Sequence, residues 1–249
     1  MTDAFLKFLD AIEKAKKELH CHDIGAWYRG VKSAKYRLYP SLLRPRSTIQ
    51  TSCEREIFEE SVNFEPEEGR AQGSWRRLVR LQQYGVPTRL LDWTEVFGVA
   101  LFFAIDDSGR ESHRSPSIWI INPFTIAEKA REPMGVKDKR IGSFHDETDM
   151  DYFVKFISRK KCGWPYQYPI PYLPPRLTPR IRAQTGFFTV HGVDRRPLDC
   201  IYRGHVRQVR LPSEAIPDAR RFLDSAGIDS LSLFPDFEGF ARRIQKRYQ

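Results

Sequence analysis

The apolar run FGVALFFAI, from Phe97 to Ile105, restricts the fold more than any other segment. A helix over residues 96–104 is apolar nearly all round, which is typical of a helix enclosed by other elements. The run has only about half the length that a membrane span requires. The sequence therefore predicts a layered domain built around one core helix. The residues expected to be buried in that helix are Val96, Val99, Ala100 and Phe103.

Helical and strand-like patterns occur on both sides of this run. Apolar residues at helical spacing predict amphipathic helices, and short β-branched or aromatic runs bounded by turn residues predict strands. We expect an α/β (α+β) fold with a mixed sheet flanked by helices, an N-terminal helix within residues 1–22 and one domain over residues 23–249. The predicted helices are 3–19, one capped by Ser52, 75–84 and 213–226, and the predicted strands are 26–30, 117–121, 180–191 and 201–211.

Residues 163–179 contain six prolines interleaved with tyrosines. Proline fixes φ and lacks a backbone N–H donor, so this composition is unsuited to a regular helix or a central strand. The segment is predicted to be an ordered loop across the surface.

Composition and cysteine usage indicate an ordinary globular protein. Hydrophobic residues make up 41% and charged residues 29% of the chain, and the first twenty residues lack the apolar segment of a secretory signal. The four cysteines form no C-x-x-C pair, which disfavours a disulfide framework or a zinc site. Three adjacent side chains, His20, Cys21 and His22, do not readily converge on one ion. We expect a soluble, cytoplasmic protein that does not bind to membranes and has no metal site.

The formal net charge of +9 is concentrated towards the C-terminus. Residues 176–249 contain fourteen Arg and Lys against eight Asp and Glu, and all but one of these cations are arginines. Arginine favours bidentate contacts with phosphate and carboxylate groups. This composition fits a polyanionic partner such as nucleic acid or a phosphate-bearing ligand, and it equally fits a solvated basic surface.

Arg29 lies inside the otherwise apolar strand pattern Trp27-Tyr28-Arg29-Gly30. A buried guanidinium costs several kcal/mol, roughly, unless it is paired, so Arg29 meets an internal carboxylate or faces a cleft. Gly30 allows a ligand or another backbone to approach closely.

Residues 81–95, LQQYGVPTRLLDWTE, join a predicted helix to the apolar run through a Gly85-containing turn. Asp92 or Thr94 can cap the following helix, and Glu95 suits its first turn. Local structure does not explain Thr88 and Arg89, two polar residues between apolar neighbours. We predict that they lie with Arg29 and Gln184 around one concave site.

Gln184 precedes a glycine in the predicted strand 180–191. Its neutral amide offers a donor and an acceptor to a pocket. The alternative is an ordinary hydrogen-bonding partner in the core.

These segments together resemble the FRG domain family, named after an aromatic-Arg-Gly tripeptide. The resemblance rests on Tyr28-Arg29-Gly30, on QQYGVPTRLLDWT over residues 82–94, on ALFFA over 100–104, on AQTGFF over 183–188 and on the closing segment 227–236. It spans about residues 24 to 245. The family often has His where this chain has Gln83.

The resemblance implies a fold similar to that of ADP-ribosyltransferases, NAD as the nucleotide, and a role in bacterial or phage-related defence, for instance as a toxin. The third-strand glutamate usual in such folds is not evident. By this resemblance Arg29 holds the NAD ribose, and Gln184 or Glu95 orients the reacting ribose. The predicted catalytic residues are Arg29, Gln184 and Glu95, and the predicted cofactor-binding residues are Tyr28, Gly30, Tyr84, Thr88 and Arg89.

Two other interpretations remain open. The first is a nucleic-acid or nucleotide binding module without catalysis, which uses the arginine-rich last third and stacks bases on Tyr166, Tyr168 and Tyr172. The second is a protein-binding domain in which Arg29 and Asp92 form an internal ion pair.

Overall fold

A seven-stranded mixed sheet with helices packed against it forms the fold, which confirms the predicted class. The computed structural model describes residues 1–21, 25–45, 47, 50, 53–64, 74–106, 115–143, 166–174, 176 and 178–248. The strands are β1 (Trp27–Val31), β2 (Leu90–Thr94), β3 (Ser117–Ile121), β4 (Gly142–Ser143), β5 (Ile170–Leu173), β6 (Gly186–Val190) and β7 (Val206–Arg210). The helices are α1 (Asp3–Glu18), α2 (Glu54–Phe64), α3 (Ser74–Gln83), α4 (Phe97–Ile105), α5 (Pro123–Arg131), α6 (Pro179–Gln184), α7 (Leu198–Ile201), α8 (Ile216–Ser225), α9 (Ser230–Leu233) and α10 (Phe237–Tyr248).

The strands are ordered β4-β5-β6-β2-β1-β3-β7, and β1 is therefore an inner strand. Its pairing with β3 is continuous over five residues. Its pairing with β2 is limited to Tyr28 opposite Thr94. No other pair of described residues joins β1 to β2 in the ladder. The two strands therefore separate where Arg29 follows Tyr28.

The apolar helix α4 lies against β1 and is buried on nearly every side. Val99 and Ala100 are 3% and 1% exposed, as the sequence predicts. The expectation for Val96 and Phe103 is wrong: Val96 is 36% exposed and Phe103 is only partly buried. Helix α4 starts one residue later than predicted. Residues 90–94 form strand β2, and Val96 is therefore the N-cap of α4 and not its first residue.

The predicted N-terminal helix is confirmed as α1, and it forms part of the core. Phe5, Phe8 and Ile12 are at most 3% exposed and pack in the same apolar cluster as α4 and α8. The strand predicted over residues 117–121 is confirmed as β3, which is buried throughout. The helices predicted over 75–84 and 213–226 correspond to α3 and to a helical turn followed by α8. Ser52, the predicted cap of α2, lies outside the described residues.

The proline-rich segment contains a buried strand, so the prediction of a surface loop is wrong for β5. Pro171 stands opposite Thr189 of β6, whereas the pairing of β5 with β4 begins only at Tyr172. The missing N–H of Pro171 therefore falls where no β4 residue is paired with it, which a strand tolerates. Residues 163–165 of this segment are not among those described.

The strand predicted over residues 180–191 is a helix followed by a strand. Thr178 caps α6 by accepting a hydrogen bond from the Ile181 N–H, and Pro179 occupies the first helical position. Thr185, at φ 44°, ends the helix in the left-handed region before β6 begins. The strand predicted over 201–211 is likewise shorter, since α7 ends at Ile201 and β7 begins at Val206.

Candidate functional site

A cleft of about 920 Å³ opens beside β1, β2 and β6. This volume lies within the range of about 300–1,000 Å³ typical of small-molecule sites. Three segments surround it: the loop after β1, the start of β6 with α6, and the chain around Phe234. We call residues 32–45, the loop after β1, the rim segment.

Arg29 lies at the floor of the cleft, where β1 and β2 separate. Its Nη1 donates to the main-chain oxygen of Asp92 at 2.8 Å and lies 3.3 Å from the carboxylate oxygen Oδ2 of Asp92. Within the described residues, Nε and Nη2 donate to no protein atom. These two donors are therefore available to a ligand in the cleft.

The charge of Arg29 is set by burial and by two neighbours. Its side chain is 18% exposed, and Asp92 is 52% exposed. Burial lowers the pKa of Arg29; the Asp92 carboxylate opposes that shift, and the charge of Arg44 adds to it. Arginine stays protonated in proteins, so Arg29 presents a partly desolvated positive charge to the cleft.

A chain of hydrogen bonds holds Arg29 and Asp92 in place. Thr88 Oγ1 donates to Gln82 Oε1 at 2.5 Å, and Gln82 Nε2 donates to Asp92 Oδ2 at 2.8 Å. Thr88 is 2% exposed, and its Oγ1 also accepts from the N–H of Leu90. The polar residues that surround the turn at Gly85 thus orient the carboxylate that pairs with Arg29.

Cationic side chains dominate the lining of the cleft. Among the described residues that line it, six are cations and one, Asp92, is a carboxylate. Two of the cations, Arg37 and Arg180, are paired with carboxylates outside the lining. Such an excess raises the local concentration of anionic ligands. The six cations are Arg29, Lys32, Lys35, Arg37, Arg44 and Arg180.

The opposite wall joins α6 to the C-terminal segment. Gln184 Nε2 donates to the main-chain oxygen of Leu233 at 3.1 Å, and the main-chain oxygen of Gln184 accepts from Thr94 Oγ1 at 2.8 Å. Arg180 pairs with Asp236 at 2.6 Å and stacks over the ring of Phe234 at 5.3 Å. The side-chain oxygen of Gln184 accepts no hydrogen bond in the part of the chain described.

Four of the predicted site residues line this cleft: Tyr28, Arg29, Gly30 and Gln184. Gly30 is required by packing, because an added Cβ would lie 1.8 Å from the main-chain oxygen of Ala100 in α4. The close approach expected at this glycine is therefore made by another backbone. Tyr28 is 6% exposed and packs edge-on against Phe97 at 6.0 Å.

Thr88 and Arg89 do not line the cleft, so the prediction that they surround one concave site with Arg29 and Gln184 is wrong for these two residues. Thr88 acts indirectly through Gln82. Arg89 lies at the other end of β2, where it pairs with Glu54 of α2 at 2.7 Å and donates to the main-chain oxygen of Gly192 at 3.1 Å. Its guanidinium joins α2 to the sheet.

Tyr84 and Glu95 are exposed and are absent from the lining of the cleft. Tyr84 is 72% exposed and lies under the guanidinium of Arg180 at 5.7 Å. Its neighbour Gln83, at the position where the family often has His, donates to Thr178 Oγ1 at 2.7 Å and does line the cleft.

The capping roles expected of Asp92 and Thr94 are wrong for α4. The N-cap of that helix is Val96, which has no side-chain cap. Thr94 Oγ1 does accept from the N–H of Val96, but from the end of β2. Asp92 instead forms an ion pair with Arg29, as one of the open interpretations predicts, although its carboxylate is 52% exposed.

The tyrosines proposed as stacking platforms do not offer open rings. Tyr172 is 1% exposed and stacks on Trp75, Tyr168 packs edge-on against Tyr202, and Tyr166 lies under Arg131. Several arginines of the last third are also neutralised locally. The described pairs are Arg180–Asp236, Arg180–Glu238, Arg196–Asp194, Arg207–Glu18, Arg221–Asp218, Arg242–Glu238 and Arg243–Asp229.

Sequence reasoning missed the rim segment and the role of Gln82. The rim segment, KSAKYRLYPSLLRP, has four cations, two tyrosines and no acidic residue, a local pattern that is visible in the sequence. The orienting role of Gln82 depends on the turn that brings it back to Asp92, and no local pattern predicts that contact.

Fold and site together define a mixed α/β domain with a strongly basic cleft at its central strands. Residues 25–113 match the family model described as FRG domain, which confirms the resemblance for this part of the chain. The match covers Arg29, the rim segment, Gln82, Asp92 and α4, whereas the resemblance of the later segments stays a prediction. No curated protein and no solved structure matches the chain. None of the helices within the described ranges is long and apolar enough to cross a membrane.

Proposed function

We propose that the cleft binds a dinucleotide of the NAD type and that the domain transfers ADP-ribose from it to a macromolecular acceptor. The observation that carries the proposal is Arg29, a desolvated guanidinium at the cleft floor with two donors directed to no protein atom among the described residues. Two parallel N–H donors match the oxygens of a phosphate or the hydroxyls of a ribose.

The chemistry requires positioning and electrostatics more than a strong base. In the proposed reaction the bond between the ribose carbon and the nicotinamide nitrogen breaks, and neutral nicotinamide leaves with the electron pair. A nucleophilic oxygen or nitrogen of the acceptor then bonds to that carbon and releases its proton to water. Preorganised dipoles stabilise such a change of charge at low cost, because they need no reorganisation.

Gln184 and Arg29 have separate roles in this proposal. The Gln184 side-chain oxygen accepts a hydrogen bond from a ribose hydroxyl, since its amide nitrogen is already used by Leu233. Arg29 holds the anionic part of the nucleotide, and the chain of Thr88, Gln82 and Asp92 keeps its guanidinium in position.

The test is a pair of titrations, calorimetric NAD binding and release of nicotinamide. We expect Gln184→Ala to lower kcat with little change in NAD affinity, because a group that orients the reacting ribose acts mainly in the transition state. Arg29→Gln should weaken NAD binding at least about tenfold through the loss of a charge-assisted contact. Arg176→Gln, an exposed arginine outside the cleft lining, is the matched control. A wild-type protein that neither binds nor cleaves NAD would refute the proposal.

A further inference from the structure

The rim segment carries positive charge that the proposed nucleotide does not use. Its four cations, Lys32, Lys35, Arg37 and Arg44, all line the cleft. Arg37 pairs with Asp199 at 2.5 Å, whereas Lys32, Lys35 and Arg44 have no carboxylate partner in the described part of the chain. An NAD molecule has two phosphate charges, and its pyridinium offsets one of them. In the proposed function Arg29 already binds the anionic part of that molecule. Three unpaired cations therefore suit a second, polyanionic ligand.

Two tyrosines lie among these cations and line the same cleft. Tyr36 is 42% exposed, and Tyr39 is half-buried. Alternating cations and aromatic rings are the arrangement by which proteins hold single strands, because the cations contact phosphates and the rings stack on bases. A peptide of Asp and Glu would use the cations but would have no aromatic bases to stack on the rings.

Hydrogen bonds and buried side chains attach the rim segment to the rest of the domain. The Ala34 N–H donates to the main-chain oxygen of Ser115 at 2.7 Å, and the Leu38 N–H donates to Asp199 Oδ1 at 2.9 Å. The Leu42 N–H donates to the main-chain oxygen of Thr88 at 3.1 Å. Leu38 and Leu42 are 1% and 2% exposed and hold the segment against the domain. A fixed segment loses little entropy when a ligand binds to it.

We propose that the rim segment binds a single-stranded nucleic acid and delivers it to the cleft, where it is the acceptor of the transfer. The role of the nucleic acid as acceptor rests on the proposed function. Binding of the nucleic acid to the rim segment does not. The single-stranded form follows from the concave shape of the site, because a base enters a cleft only when it is unpaired.

The experiment is fluorescence anisotropy of the full chain with a labelled single-stranded oligonucleotide of about twelve nucleotides, a length within the range of known single-strand sites. Titrations at salt between about 50 and 200 mM give the slope of affinity against salt. Lys32→Gln with Lys35→Gln removes two rim charges, and Tyr36→Leu removes one ring. Lys246→Gln with Arg247→Gln, at exposed positions of α10, removes two charges outside the cleft lining and is the matched control.

We expect the double lysine variant to bind at least about tenfold more weakly at low salt, with a slope reduced by about 1.4. Tyr36→Leu should weaken binding about fivefold or more and leave the slope unchanged. The control pair should stay within about twofold of wild type, as expected for charges outside the contact.

Three results would overturn the inference: equal losses in the rim and control variants, duplex bound as tightly as single strand, or displacement by polyglutamate at the same charge concentration. Nicotinamide release into water, measured without oligonucleotide, reports on the proposed function alone. Retained release with no oligonucleotide binding overturns only the rim inference. Oligonucleotide binding without any nicotinamide release supports binding by the rim segment. The same result contradicts both the acceptor role and the proposed transferase activity.

Discussion

Gly30→Ala is the substitution whose cost the structure specifies most directly. The added Cβ would lie 1.8 Å from the Ala100 oxygen and 2.7 Å from the Ala104 nitrogen. Contacts between carbon and oxygen begin at about 3.3 Å, so β1 and α4 would have to separate by more than about 1 Å. Both obstacles are backbone atoms, and no side-chain rotation relieves them.

Overpacking of a core costs about 1–3 kcal/mol and occasionally more, and we expect at least about 3 kcal/mol here. For a chain of this size that loss lowers Tm by roughly 6–12 °C. The matched control is Gly186→Ala, a strand glycine of the same cleft whose added Cβ would lie 3.9 Å from its nearest neighbour. A Gly30→Ala protein that melts within about 2 °C of the control would refute the packing argument.

Three further predictions concern stability and are checked by urea unfolding. Thr88→Val should cost about 1–3 kcal/mol, because Gln82 loses the hydroxyl donor of the buried Thr88 side chain. It should also weaken NAD binding, and unchanged values of both would contradict the role of Thr88. Leu101→Ala, at a fully buried position, should lower the free energy of unfolding by about 2–5 kcal/mol. Val96→Ala, at a position 36% exposed, should lower it by less than about 0.5 kcal/mol. Equal losses would be inconsistent with the observed start of α4. Burial lowers the pKa of His191 to about 3, and both ring nitrogens lack a hydrogen-bond partner in the described structure. The unfolded histidine gains its proton near pH 6.5, whereas the folded one stays neutral. The free energy of unfolding should therefore fall as pH is lowered from about 6.5. His191→Leu should flatten this fall by about 1.4 kcal/mol per pH unit between pH 6 and 5, and an unchanged slope would refute it.

The sequence predicted the elements whose pattern is local. The continuous apolar run of α4 and the β-branched run of β3 are each explained by their own residues, and both were found close to the predicted bounds. Helix α6 was missed, although Thr178 and Pro179 form a recognisable helix start. There a strand-like composition in residues 186–190 was extended too far towards the N-terminus.

The site was predictable only in part, because its geometry depends on distant contacts. Arg29 was identifiable as a charged residue in an apolar strand, and Gln184 as an amide before a turn, and both line the cleft. Thr88 and Arg89 show the same kind of pattern, yet they support the site and the sheet through Gln82 and Glu54. A polar residue among apolar neighbours indicates that a partner exists, but the fold decides whether that partner is a ligand or another side chain.

The most direct test of the proposed function is a crystal structure of the protein soaked with NAD. The proposal predicts a nucleotide in the cleft, with phosphate or ribose oxygens within hydrogen-bonding distance of Arg29 Nε or Nη2 and a ribose hydroxyl at the side-chain oxygen of Gln184. An empty cleft at saturating NAD, or a nucleotide bound away from Arg29, would contradict it.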